Sequence, residues 1–241
     1  MSSFQFVKTR RISDEIGDQI RRMLANSELN PGDKLPAERT LALQLGVGRN
    51  AVREAMRSLE SSGVLKLQKG GKGGAFIGHG DPSALTQGLK DLLQLKAVSI
   101  EQLTDARVLI EQAVTRAACI NATEADLAQM EGHLDAAEAA LAAEAFESKL
   151  SFLIEFHRAL SRATQNPVLT VMLGALLDLM HTYARTVGLE KNDLSIVALR
   201  KVLKELKARD AEGAVREVTD HLLRLRDRYI AYRNDENKPS A

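Results

Sequence analysis

Residues 46–48, Gly-Val-Gly, join two short amphipathic stretches, and so short a link leaves room only for a tight turn between helices. Before it, 37–45 carries Leu41 and Leu45 at one turn's spacing. After it, 49–62 carries Val52, Ala55, Met56 and Leu59 on one face, and Gly63 stands where a helix stop is expected. Two helices that short need a third element to cover their apolar sides. Upstream, Ile16, Ile20, Met23 and Leu24 predict a helix over 13–27, with Ser13 as its N-cap.

Residues 29–36 break the periodicity as a Pro-Gly loop. Downstream, 64–67 and 75–77 read as two strands around a loop, 68–74, holding four glycines and two lysines. Helix, helix, turn, helix, hairpin is the order of a winged helix-turn-helix, placed at 8–78 with its helix-turn-helix over 37–56.

The pattern ends at His79-Gly80-Asp81-Pro82, the expected boundary, followed by a linker and connecting helix over 79–98. Thereafter only helical periodicity appears, with segments near 83–95, 100–120, 124–142, 145–164, 167–187, 194–208 and 211–233. Thr123 and Asn166 read as N-caps, the latter with Pro167 in the first helical position. The chain is mainly α: a winged helix-turn-helix, then an all-α bundle over 99–234 and a frayed tail over 235–241.

A net charge of +1 hides an asymmetry: residues 1–80 hold 13 Lys/Arg against 8 Asp/Glu, and the remainder 20 against 24. A basic front of +5 on an acidic back of −4 suits a polyanion-binding module joined to something else. Arg49, Arg53 and Arg57 at i, i+4, i+8 form a guanidinium row beside the buried stripe of the third helix, placed to enter a major groove. Asn50 in the first turn can meet a base edge or a phosphate. Lys69 and Lys72 in the wing suit a phosphate backbone. The alternative is a solvated charged face in which Glu54 and Glu60 support Arg57.

The runs Pro31-Gly32-Asp33-Lys34-Leu35-Pro36-Ala37-Glu38-Arg39, Leu45-Gly46-Val47, Val52-Arg53-Glu54-Ala55 and Gly63-Val64 closely resemble the GntR family of bacterial transcription regulators, over about 10–77. The resemblance implies DNA contact by Arg39, Arg49 and Arg53. Gly48 departs from it, standing where the family usually has Ser or Thr as the recognition-helix cap. The back end resembles the FadR-like subgroup with an FCD effector domain, through Asp105-Ala106-Arg107 with Glu111, Phe156-His157 before Asn166-Pro167, and His221-Leu222. That subgroup implies homodimers, a palindromic double-stranded operator, and effectors that are mostly organic acids, sugar acids or acyl-CoA esters.

Helical geometry picks out the same places. Arg107 projects from the stripe Leu103, Ile110, Val114 and Ala117, so it needs a carboxylate: Glu111 one turn on, or a bound acid. His157 sits in the stripe Phe146, Leu150, Leu153 and Leu160, and His221 at the edge of Val215, Val218, Leu222 and Leu225. Each histidine is either a hydrogen-bonded core residue or an effector contact. Many relatives bind a divalent metal here, but Leu153 and Leu199 stand at two of the expected ligand positions. Two imidazoles are a poor cage. No metal or other cofactor is expected, and Asp178 with His181, at i, i+3, reads as two polar residues on the surface rather than a substitute.

The lone Cys119 lies among apolar residues and reads as a core residue. No signal pattern and no uninterrupted apolar run of membrane length is visible, so a cytoplasmic location without a membrane partner is expected. The Gly-rich 70–74 lies in a hairpin without a following Lys-Ser/Thr helix and is no P-loop. No catalytic constellation appears, so the chain reads as no enzyme. The expected function is a sequence-specific regulator, a repressor controlled by a small carboxylate. The alternatives are an architectural DNA binder and, more distantly, an enzyme with a DNA-binding tether.

Overall fold

A computed structural model describes residues 11–70, 73–78 and 83–236. The chain separates into two compact units, Met1–Ala84 and Leu85–Ala241. The boundary expected at 79–82 lies outside the described residues.

In the first unit α1 (Ile12–Ala25), α2 (Glu38–Leu45) and α3 (Arg49–Ser61) precede β1 (Leu65–Gln68) and β2 (Gly74–Ile77). Val52, Ala55 and Leu59 of α3 are fully buried against Ile16 and Ile20 of α1, with Leu35 and Ile77 completing the core. The tight turn predicted at 46–48 and the stop predicted at Gly63 both form at a glycine. Gly46 (φ 65°) and Gly63 (φ 73°) adopt left-handed backbone. There Val47 N–H donates to Ala42 O (3.0 Å) and Val64 N–H to Leu59 O (2.9 Å), satisfying terminal carbonyls.

Two expectations need correction. Ser13 is not the cap of α1: Arg11 is the N-cap residue, without a side-chain cap bond, and Ser13 is buried. Residues 13, 16 and 20 share one helical face, so the phase that buries Ile16 and Ile20 turns Ser13 inward. The loop 29–36 is also partly extended. Leu35 N–H donates to Ala75 O (2.8 Å) and Ile77 N–H to Asp33 O (2.8 Å), so 33–35 lies along β2 opposite β1. A strip that short shows no alternation to read, but burying Leu35 against the open edge of β2 satisfies both.

The second unit holds α4 (Ser83–Gln94) from Leu85 onward, α5 (Ile100–Asn121), α6 (Glu124–Ala142), α7 (Phe146–Arg162), α8 (Pro167–Val187), α9 (Leu194–Lys207) and α10 (Ala211–Glu236). The tail read as frayed from 235 is helical through Glu236. Thr123 Oγ1 accepts from Asp126 N–H (3.2 Å) and Asn166 Oδ1 from Val168 N–H (3.0 Å), so both predicted caps form. Arg209 donates to Cys119 O (2.9 Å) and Ala122 O (2.7 Å), covering the carbonyl end of α5.

Cys119 is buried in the main core with Met130, Phe156, Leu160, Leu173, Leu199 and Leu206. A second cluster joins Ile100, Leu103, Met180 and Tyr229 to Leu89 and Leu93 of α4. Among the described residues only α8 is long and apolar enough to cross a bilayer by composition, yet Leu173, Leu177 and Met180 pack it into these cores.

Candidate DNA-reading face and effector cavity

In the first unit Arg39, Arg49, Asn50, Arg53, Arg57 and Lys69 are all exposed, while the opposite side of α3 is buried. Lys72 lies outside the described residues. Among the described residues Arg49 and Arg57 form no ion pair. Glu54 reaches Arg11 (3.8 Å) rather than Arg57, so the anticipated neutralised face does not form around Arg57. Arg53 differs: Nη2 and Nε donate to Glu38 Oε2 at 3.0 and 3.1 Å. Glu38, in the first turn of α2, was not singled out in the sequence because fifteen positions separate the pair. Gly48 is the N-cap of α3 with extended backbone and offers no hydroxyl.

In the second unit the three residues singled out converge on one cavity. Arg107 Nε donates to Glu111 Oε1 (2.7 Å), one turn along α5. The other oxygen, Oε2, lies 2.7 Å from His157 Nδ1 of α7, an ion-pair distance off hydrogen-bond alignment. The His157 ring stacks on His221 of α10, centroids 5.8 Å apart at 11°. Glu111 is fully buried: burial alone would raise its pKa, but His157 and Arg107 outweigh that and hold it at about 2. Burial pushes His221 well below the usual imidazole value, and His157, Arg107 and Arg224 push it the same way.

Glu111 is therefore the partner of Arg107, as one of the two alternatives required. It engages only Nε, however. Among the described residues the two terminal nitrogens of Arg107 make no hydrogen bond, although Arg107 is 4% exposed and lines the cavity.

The cavity, with about 40 Å³ of room for solvent, is walled by Leu153, Ile154, Met180 and Tyr229 beside these polar groups. Its other polar end escaped the sequence. Lys149, in the same i, i+4, i+8 row as Leu153 and His157, is 2% exposed and donates to Glu190 O (2.8 Å). Arg224 donates to Glu190 Oε1 (2.6 Å) and to Ser195 Oγ (2.9 Å). A lysine inside an apolar stripe was a readable signal. Glu190, Ser195 and Arg224 come from separate segments and carried none.

Leu199 is fully buried in the core and Leu153 lines the cavity. Among the described residues no group of three or more His, Cys, Asp or Glu is arranged to hold a metal ion. His221 Nδ1 faces Arg224 Nη2 at 3.3 Å, which suits a cation poorly. Asp178 is engaged by Arg158 and by Thr86 (3.3 Å) and does not join His181 in a site.

Comparison with known proteins finds the FCD domain family over residues 102–224 and the bacterial regulatory proteins of the gntR family over 12–77. The regulatory protein assigned to the L-lactate dehydrogenase operon of Escherichia coli is 31% identical over 232 residues, 90% of this chain and 85% of that protein. The transcriptional regulator LutR of Bacillus subtilis is 32% identical over 158 residues, 66% of this chain and 70% of its own. The Uxu operon transcriptional regulator of E. coli is 28% identical, covering 93% and 89%. Among solved structures, Streptococcus agalactiae GntR superposes with a TM-score of 0.64 at 24% identity, over 89% of this chain and 99% of that one. At that identity the match speaks for the fold alone.

Proposed function

Since the chain belongs to the GntR family of transcription regulators, with an FCD effector domain and not an enzyme's machinery, we propose that it is a cytoplasmic repressor whose hold on its operator is set by a small carboxylate in the cavity of the second unit. The observation that carries the effector is the unused fork of Arg107. Among the described residues the two terminal nitrogens donate to no protein group, and they belong to a residue that lines the cavity, so a carboxylate there can accept from both at once. His157 and His221 line the same cavity and offer further hydrogen bonds. The bound acid needs no metal in this arrangement, because the arginine supplies the positive charge. One relative's name ties it to an L-lactate dehydrogenase operon, which fits a short hydroxy acid as well.

On the DNA side, Arg49, Arg53 and Arg57 of α3 enter the major groove, with Asn50 at its edge and Arg39, Lys69 and Lys72 on the backbone. Two chains form a symmetric dimer on a palindromic operator, one winged domain per half-site. Effector and operator affinities are then linked reciprocally.

The test is a thermal-shift screen of short hydroxy, keto and sugar acids, since a ligand that binds only the folded state raises the melting temperature by mass action. An acid that stabilises wild type and fails to stabilise Arg107→Gln is the expected result. Selection of random duplexes, with and without that acid, then gives the operator. Absence of any sequence preference would mean an architectural DNA binder instead.

A further inference from the structure

Gly188, Leu189 and Glu190, in the segment 188–193 between α8 and α9, form part of the cavity wall, and cations hold that segment down. Gly188 (φ 99°) turns the chain out of α8. Arg228 of α10 donates to Gly188 O. Lys149 Nζ donates to Glu190 O (2.8 Å) and Asn192 O (2.5 Å). The Glu190 carboxylate, 11% exposed, is bound by Arg224 and by Ser195 Oγ (2.5 Å), with Arg228 Nη1 4.0 Å away.

These groups are not balanced. The cavity is lined by three cations, Arg107, Lys149 and Arg228, and one carboxylate, Glu190; Glu111 behind Arg107 and Arg224 behind Glu190 cancel, so an excess of two positive charges remains. On the segment itself the exposed Lys191 and Asp193 cancel. Glu111 is held by Arg107 and Glu190 by Arg224, which leaves Arg228 only a 4.0 Å approach to Glu190 and leaves Lys149 with no carboxylate among the described residues in direct contact. Lys149 makes no ion pair among the described residues. An ammonium has three N–H donors, and only two are used, both on neutral carbonyls. Arg228 likewise spends one donor on a carbonyl and stands at the limit of ion-pair distance from Glu190. Lys149 is buried with its hydrogen bonds on main-chain carbonyls alone, and the partly exposed Arg228 spends a donor on one too, so a carboxylate in the cavity is the stronger partner for both.

We infer that Lys149 and Arg228 form a second anion site on the wall of the same cavity as the Arg107 fork, and that the effector is a small dicarboxylate spanning the two. This rests on the proposal that the cavity holds a carboxylate, and adds the second charge and the residues that take it. The segment 188–193 is then rearranged by the ligand, because the ligand's second carboxylate takes donors that now hold Gly188 O, Glu190 O and Asn192 O.

Binding is measured by thermal shift and calorimetry with malonate, succinate, glutarate and adipate, each against a monocarboxylate of equal chain length, and with L-lactate. The proteins are wild type, Lys149→Met, Arg228→Gln and Arg107→Gln. The expected result is one dicarboxylate bound by wild type at least about tenfold tighter than its monocarboxylate, a preference that falls towards one in Lys149→Met and in Arg228→Gln. Lys149→Met removes a buried charge but also two hydrogen bonds to the segment 188–193, so its melting temperature is read first; should it fail to fold, Arg228→Gln, at a partly exposed position, decides. Monocarboxylates bound as tightly as dicarboxylates, with dependence on Arg107, would overturn the second site and leave the proposed effector intact. A dicarboxylate preference that persists in both variants would do the same. If none of these acids binds wild type, the dicarboxylate site falls, and the carboxylate effector stands or falls separately on the screen of hydroxy, keto and sugar acids.

Discussion

Glu38 Oε2 receives both Nη2 and Nε of Arg53, at 3.0 and 3.1 Å, so the central guanidinium of α3 is tied to the first turn of α2. The pair is exposed, and its effect on stability is small. Its expected effect on DNA is larger, because Glu38 cancels one charge on the face proposed to meet the duplex. Arg53→Ala is expected to weaken operator binding about 5- to 150-fold and relax specificity at one position. Glu38→Gln is expected to act the other way on random duplex: tighter nonspecific binding with a steeper dependence on salt, read by anisotropy titrations across a salt series. Unchanged binding in both variants would remove α3 from the groove.

Glu111 holds Arg107 within α5 and reaches across to His157 of α7, behind the cavity wall. Glu111→Gln keeps the shape and removes the charge that two buried cationic or protonatable groups share. Breaking one partner of a buried pair costs about 3–5 kcal/mol. Urea unfolding at neutral pH is expected to show that loss, with an unchanged m-value. The acid limb supplies a second check. The Glu111 pKa is held at about 2, below its ordinary value of 4.5. Its contribution is thus complete above pH 4.5 and lost as pH falls towards 2. The variant should lack that part of the acid transition.

His221 predicts a separate pH dependence at milder acidity. Burial first, then the charges of His157, Arg107 and Arg224, depress its pKa well below 6.5, with Glu111 opposing. Below pH 6.5 the unfolded chain therefore takes up a proton at this position that the folded chain refuses. Stability falls as pH drops from 6.5, by at most about 1.4 kcal/mol per pH unit for one group. His221→Gln is expected to flatten the slope between pH 6.5 and 5.5 in urea titrations. An equal slope in both proteins would place the proton elsewhere.

The fold was readable where backbone chemistry is local. Gly46 and Gly63 announce left-handed helix ends, and Thr123 and Asn166 announce helix starts, because each acts within five residues of itself. Ser13 misled because a cap and an inward-facing serine look alike until the helical phase is fixed by Ile16 and Ile20. Arg107, His157 and His221 were legible as polar interruptions of apolar stripes, and Lys149 interrupts the α7 stripe in the same way. Glu190, Arg224 and Arg228 were not legible, since charges on a loop and on the flank of a helix are ordinary until packing brings them to one cavity. The Glu38–Arg53 tie was hidden for the same reason.

The metal question can be turned into a gain-of-function test. Leu153 stands one turn before His157 on α7 and lines the cavity, so it occupies the place from which a third ligand would come. Elemental analysis of dialysed wild-type protein is expected to find well below one transition-metal ion per chain, because two imidazoles fall short of the three or four donors zinc requires. Leu153→Asp adds a carboxylate beside both rings. Without metal that charge is buried and unpaired, so the variant should melt lower than wild type. With zinc it gains a third ligand, and the melting temperature should recover in proportion to the logarithm of free zinc. Near-stoichiometric metal in wild type that survives dialysis would show that the chain assembles a site from groups other than these. Zinc-independent melting of the variant would show that His157 and His221, held by Glu111 and Arg224, cannot turn to meet an ion.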